Sequence, residues 1–182
     1  MKRIGILTED YDNDGKGYRY LLEKEMGEKA IFLPIIPTMR GKQLDNRKKM
    51  DGLIEKAFAQ NKLDFILYIR DLDALPSDEN AKTILQNWFS FVENIANGVS
   101  FMAIYESEAL ILADFETFCK IKKIKAQYKS NPMYQEEPKE YLKKYSYHPN
   151  DLPKLFAQLN FGTIMKNHKG FAQFIEALGE KI

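Results

Sequence analysis

The chain has 182 residues, with one cysteine, Cys119, and two histidines, His148 and His168. A single cysteine excludes an internal disulfide, and so little sulfur and imidazole leaves no material for a zinc cage of paired Cys and His ligands. Net charge is equally scarce. Against 26 Asp and Glu stand 27 Lys and Arg, a formal +1, so no global field draws the chain to nucleic acid and any anion contact must be a local patch. No apolar run reaches the roughly 18 residues of a membrane span, and neither a signal-peptide pattern, an internal repeat nor a low-complexity tract is visible. These absences predict a reduced, cytoplasmic protein without a membrane partner. P-loop, G-x-G-x-x-G and G-x-S-x-G patterns are missing too.

Strand-like and helix-like stretches alternate through the first 115 residues. Arg3-Ile-Gly-Ile-Leu-Thr8 suits a central buried strand, and a helix is predicted over 18–26. Residues 30–36 have strand composition, but Pro34 cannot donate to a ladder and so places the strand at an edge. Helical spacing runs over 50–61. The apolar run at 65–69 reads as a strand buried on both faces and stops at Arg70-Asp71-Leu72-Asp73. Ser77 is the expected N-cap of a long helix in which Ile84, Leu85, Trp88, Phe91, Val92 and Ile95 recur, with Trp88 in the core and Asn97-Gly98 as the stop. Residues 99–105 read as a fourth strand. The pattern predicts one α/β domain: a mostly parallel sheet of four strands or slightly more, Rossmann-like, flanked by helices. Residues 1–115 form its core and 116–182 a C-terminal helical extension. Residues 127–150, rich in proline and tyrosine, read as an irregular or flexible insertion, and 151–159 and 170–178 as closing helices.

Three of the four strands end in acid: Glu9, then Asp71 and Asp73, then Glu106. Each alone reads as a helix cap or a surface residue. In a parallel sheet, however, they share the edge where ligands gather, and their repulsion costs several kcal/mol unless protons or a cation relieve it. Asp71 and Asp73, one residue apart on an extended segment, are expected to point the same way. All candidate ligands are oxygens, which favours Mg2+ or Mn2+ over zinc and implies phosphoryl transfer or phosphodiester hydrolysis. Glu108 and Asp114 flank a buried helical segment that Ser107 is placed to cap. Arg40 and Lys42 lie in a basic run over 38–49, which reads as a solvated face or a phosphate contact. Asp10-Tyr-Asp12-Asn-Asp14-Gly15 matches the first half of a calcium loop, but position 12 of that loop is Leu21, where a bidentate glutamate is needed. What remains is an acidic loop beside the main site. A phospho-receiver domain also places acids after its first and third strands, yet it needs a hydroxyl residue where Glu106 follows the fourth.

An early strand ending in Glu9 and a later one ending in Asp71-Leu-Asp73 together resemble the Toprim domain of topoisomerases, primases and OLD-family nucleases. Tyr105-Glu-Ser-Glu-Ala-Leu-Ile-Leu-Ala-Asp114 is similar to the E-x-E-A-x-L-x-x-D block of a Toprim-like bacterial family often encoded beside ABC-type ATPases. The resemblance implies a Toprim/Rossmann-like sheet, Mg2+ on Asp71 and Asp73, and Glu9 as general base or second-metal ligand. Glu106, Glu108 and Asp114 would complete or orient the site. It further implies a nuclease-type activity on nucleic acid in phage or mobile-element defence; the alternative is a non-catalytic scaffold that binds and regulates a partner ATPase. The family's basic motif corresponds to Pro138-Lys139-Glu140-Tyr141, which departs from it, so Lys139 and Lys143 are its candidate phosphate contacts.

Overall fold

The apolar run at 65–69 becomes a strand in the computed structural model, which describes residues 1–182. Four strands, β1 (Lys2–Leu7), β2 (Ala30–Pro34), β3 (Phe65–Asp71) and β4 (Gly98–Ala103), form one sheet in the order β2-β1-β3-β4. Every pair is parallel: Ile4 lies opposite both Phe32 and Phe65, and Tyr68 opposite Ser100. Pro34 falls on an edge strand, as its missing N–H requires, and β1 and β3 are internal.

Helices α1 (Lys16–Met26), α2 (Arg47–Asn61) and α3 (Glu79–Ile95) connect consecutive strands. Because successive strand residues face opposite ways, β3 supplies two cores. Ile66 and Tyr68 pack with Met50, Ile54, Trp88 and Val92 from α2 and α3, while Phe65, Leu67 and Ile69 pack with Ile4, Tyr18 and Phe101 on the other face. Two of the polar tips buried there are satisfied: Trp88 Nε1 donates to the Leu44 carbonyl at 2.9 Å, and the Tyr68 hydroxyl donates to the carbonyls of Val92 and Ala96 at 3.1 and 2.9 Å. A side chain at Gly98 would place its Cβ 2.3 Å from the Tyr68 ring, so β4 can approach β3 only with glycine there.

The remaining helices are α4 (Ala109–Ala113), α5 (Phe115–Lys122), α6 (Pro138–Lys143), α7 (Leu152–Phe156), α8 (Phe161–Asn167) and α9 (Lys169–Gly179). They share one apolar core with the sheet. Phe174 of α9 stacks on Phe101 of β4 with centroids 4.9 Å apart, and Phe156 of α7 meets Tyr18 of α1 edge-on at 5.4 Å. Residues 127–150, expected to be irregular or flexible, instead carry the short helix α6 between irregular stretches and are tied to the core. Tyr128, Tyr141 and Tyr145 gather round Phe115, with neighbouring centroids 5.4 to 6.3 Å apart. Helix α8 carries no strong periodicity and was not predicted. Two expected caps also differ. Asp78, not Ser77, caps α3 by accepting the Ala81 N–H at 2.9 Å, and Ser107 makes no cap to α4 because its hydroxyl is engaged elsewhere. No helix is long and apolar enough to cross a membrane.

Candidate functional site

Parallel pairing brings the carboxyl ends of β1, β3 and β4 to one edge of the sheet. A pocket of about 350 Å³ opens there. Glu9, Asp10 and Asp14 line it after β1, Asp71 and Asp73 at the end of β3, and Glu106 and Glu108 after β4, with Arg40 and Lys139 as its cations.

The local backbone decides how each acid is presented. Asp71 is the last residue of β3, and Asp73 has a φ of +53°, so the segment is not extended through the pair, yet both carboxylates line the pocket. Asp71 is enclosed by protein and only partly accessible, whereas Asp73 is exposed. Tyr105 is also left-handed, with a φ of +57°, and its carbonyl accepts the Asp73 N–H at 3.0 Å. A bulky side chain in that region costs on the order of 1–3 kcal/mol, and the strain lies at the pocket's lip.

Residues 10–15 close a wide helical turn rather than a calcium loop. Asp10 caps it by accepting the Asp12 N–H at 3.0 Å, and Arg40 grips Asp10 and Asp12 at 2.7 and 2.6 Å. Two of the three would-be calcium ligands are thus taken by a guanidinium. The third, Asp14, turns into the pocket. Gly15 makes the turn possible, because a Cβ there would lie 2.3 Å from the Tyr11 ring and 3.0 Å from Thr8 Oγ1.

Behind the acids runs a set of buried partners. The Tyr18 hydroxyl donates to Ser107 Oγ at 3.1 Å, and Ser107 Oγ donates to Asp71 Oδ1 at 3.0 Å, which orients that carboxylate and leaves its second oxygen for a ligand. The Tyr147 hydroxyl donates to Glu108 Oε1 at 2.8 Å. Arg70 bonds Glu9 Oε1 through Nε at 2.6 Å and Asp45 through Nη1 at 2.7 Å, with its guanidinium 4.7 Å over the Trp88 ring. Lys139 reaches Glu106 and Glu108 with Nζ at 3.2 and 3.7 Å.

Burial, then the neighbouring charges of Asp14 and Glu108, pushes Asp71 well above the usual carboxylate range. Asp14 is raised in the same way, by burial first and then by Glu108 and Asp10. Burial also raises Glu108, although Lys139 and Tyr147 pull it back, and burial together with Glu106 raises Asp73. Burial works against the Lys139 ammonium, but Glu108 and Glu106 outweigh it and hold the amine charged.

Of the predicted site residues, Glu9, Asp71, Asp73, Glu106, Glu108, Arg40 and Lys139 gather at this pocket. Lys42 lines an adjoining cleft of about 380 Å³ that shares Glu9, Asp71 and Asp73 and continues to Ile84, Leu85 and Trp88. Asp114 lies elsewhere: it is buried, and its Oδ2 accepts the Asn160 N–H at 2.6 Å, a bond that anchors the start of α8. Lys143 pairs with Glu140 on the surface instead of lining the pocket. Participants that escaped the sequence reading as site residues include Asp10, Asp14, Tyr18, Arg70, Ser107 and Tyr147. Arg70 had a usable signal, since a charge at the end of a buried strand needs a partner. Tyr147 had none.

No three His, Cys, Asp or Glu side chains stand close enough together to cage a metal. Magnesium needs less, because it usually keeps several waters and binds through one or two carboxylates. Asp14 and Asp71, raised by burial and by neighbouring acids and ion-paired to no lysine or arginine, are the oxygen donors that such an ion fits. No protein-family model, curated protein or solved structure gives a significant match to this chain.

Proposed function

We propose that the protein is a Toprim-like, Mg2+- or Mn2+-dependent phosphodiester-cleaving protein that acts on nucleic acid. The observation that carries this reading is the charge imbalance in one pocket, where seven carboxylate residues meet Arg40 and Lys139. A divalent cation is what such a pocket lacks. When bound, magnesium supplies an acidified water and a counter-charge for the phosphodiester. The chain's own residues then have distinct tasks. Asp71, oriented by Ser107, and Asp14 hold the ion. Glu9, fixed on the rim by Arg70, accepts a proton, and Lys139 meets phosphate oxygens. The adjoining cleft, with Lys42 beside the apolar Ile84 and Leu85, offers the neighbouring nucleotide a surface.

The test is cleavage of plasmid, single-stranded DNA and RNA with magnesium or manganese by the wild type, Asp71→Ala and Glu9→Ala. Metal-dependent cleavage lost in both variants is the expected result; equal background in all three proteins would sink the reading.

A second reading, a non-catalytic scaffold for a partner ATPase of the ABC type, draws support from the ion pairs. Arg70 and Lys139 already occupy Glu9 and Glu106, as befits acids held for structure. Co-expression with an ATPase encoded alongside discriminates: a stable complex without nuclease activity favours the scaffold, and a chain that purifies alone removes its support.

A further inference from the structure

Lys139 differs from the other lysines of the chain in being held on the pocket acids from both ends. Its backbone N–H donates to Glu106 Oε2 at 3.0 Å, while its Nζ lies 3.2 Å from the other oxygen of Glu106 and 3.7 Å from Glu108 Oε1. The chain reaches this position through Glu137, left-handed at a φ of +47°, and Pro138, which opens α6. Glu108 is buried and braced from behind by Tyr147, so it cannot swing away from the ammonium. The positive charge is therefore fixed between the two acids that follow β4. The other side of the pocket is built differently: Asp14 and Asp71 line it without an ion pair, and Asp71 accepts from the Ser107 hydroxyl. Two-metal phosphoryl-transfer centres place two cations about 3.5–4 Å apart, one for the attacking and one for the leaving oxygen. An ammonium paired with two of the pocket carboxylates brings one positive charge to that side of the site.

Resting on the metal reading above, we propose that Lys139 is the second cation of this site. One divalent ion binds on the Asp14–Asp71 side, and the Lys139 ammonium stands between Glu106 and Glu108 where a two-metal centre would hold its other ion. The chain is then a one-metal protein, and the lysine sets that number.

Counting bound manganese on the intact chain decides this without any activity measurement. Equilibrium titration with Mn2+, read by electron paramagnetic resonance of the free ion and by calorimetry, is run on the wild type, Lys139→Arg and Lys139→Met. We expect one Mn2+ per chain in the wild type and in Lys139→Arg, which keeps the charge. Lys139→Met should take two, the second announced by dipolar broadening between neighbouring ions. If methionine leaves the fold unstable, Lys139→Gln, which still hydrogen-bonds Glu106, replaces it. Two ions in the wild type overturn the proposal, and so does a single ion in a folded Lys139→Met or Lys139→Gln chain. Binding of none in the wild type removes the metal reading itself and this inference with it, an outcome distinct from a wrong count.

Discussion

Replacing Asp71 by asparagine separates the two roles that the pocket assigns to that residue. In the metal-free protein its charge is a liability, because burial and the neighbouring Asp14 and Glu108 raise it well above the usual carboxylate range. A raised carboxyl keeps its proton in the folded state at pH values where the unfolded chain has released it, so stability falls as pH rises from about 4 through the raised value. Asparagine has nearly the same shape and no charge, and its Oδ1 still accepts from Ser107. Like charges in a partly buried site repel by about 2–4 kcal/mol at an effective dielectric near 20. With protonation open as an escape and Lys139 nearby, about 1–2 kcal/mol is recoverable, which at about 2–4 °C per kcal/mol raises the melting temperature by about 2–8 °C. The effect of metal has the opposite sign. At a hundredfold excess over the dissociation constant a bound ion stabilises the wild type by about 2.7 kcal/mol, about 5–11 °C, and the amide should forfeit most of it. Scanning calorimetry in EDTA and in Mn2+, at pH 5 and pH 8, reads both terms. The expected pattern is Asp71→Asn melting higher than the wild type in EDTA at pH 8, less so at pH 5, and lower than the wild type in saturating Mn2+. An asparagine variant that is destabilised in EDTA at pH 8, or that keeps the full metal shift, refutes the electrostatic account of this pocket.

Two further changes probe the support behind the site. Ser107→Ala strands the buried Tyr18 hydroxyl and should cost about 1–3 kcal/mol in urea denaturation; adding Tyr18→Phe should return part of it, and no recovery would mean that the hydroxyl relay is not a unit. His168 is buried and caps α9 by accepting the Phe171 N–H through Nδ1 at 3.0 Å, and burial lowers its pKa to about 4. Its contribution is present above the unfolded value near 6.5 and is lost as pH falls toward about 4, a span of about 3 kcal/mol. His168→Asn, which can still cap, should flatten that acid limb relative to the wild type, and parallel stability curves for the two would contradict the assignment.

Much of the architecture was legible from local pattern. A run such as 65–69 has no polar face to expose, Pro34 cannot sit inside a ladder, and strand–helix alternation leaves a parallel sheet as the economical solution. From parallel strands it followed that Glu9, Asp71, Asp73 and Glu106 would share an edge, and they do. Which acids are free there, and which are tied, was not legible. Glu9 is held by an arginine 61 residues away, Glu106 by a lysine 33 residues on, and Asp114 serves the start of α8.

The sequence by itself therefore determined the sheet, its order of burial and the clustering of carboxylates at its carboxyl edge, because these follow from hydrophobic period and chain direction. Only the tertiary structure decided that Asp14 belongs to the site, that Asp73 is exposed while Asp71 is enclosed, and that Lys139 stands between Glu106 and Glu108. Those outcomes depend on single backbone angles and on where a distant segment returns to the sheet, and neither is encoded in the spacing of neighbouring residues.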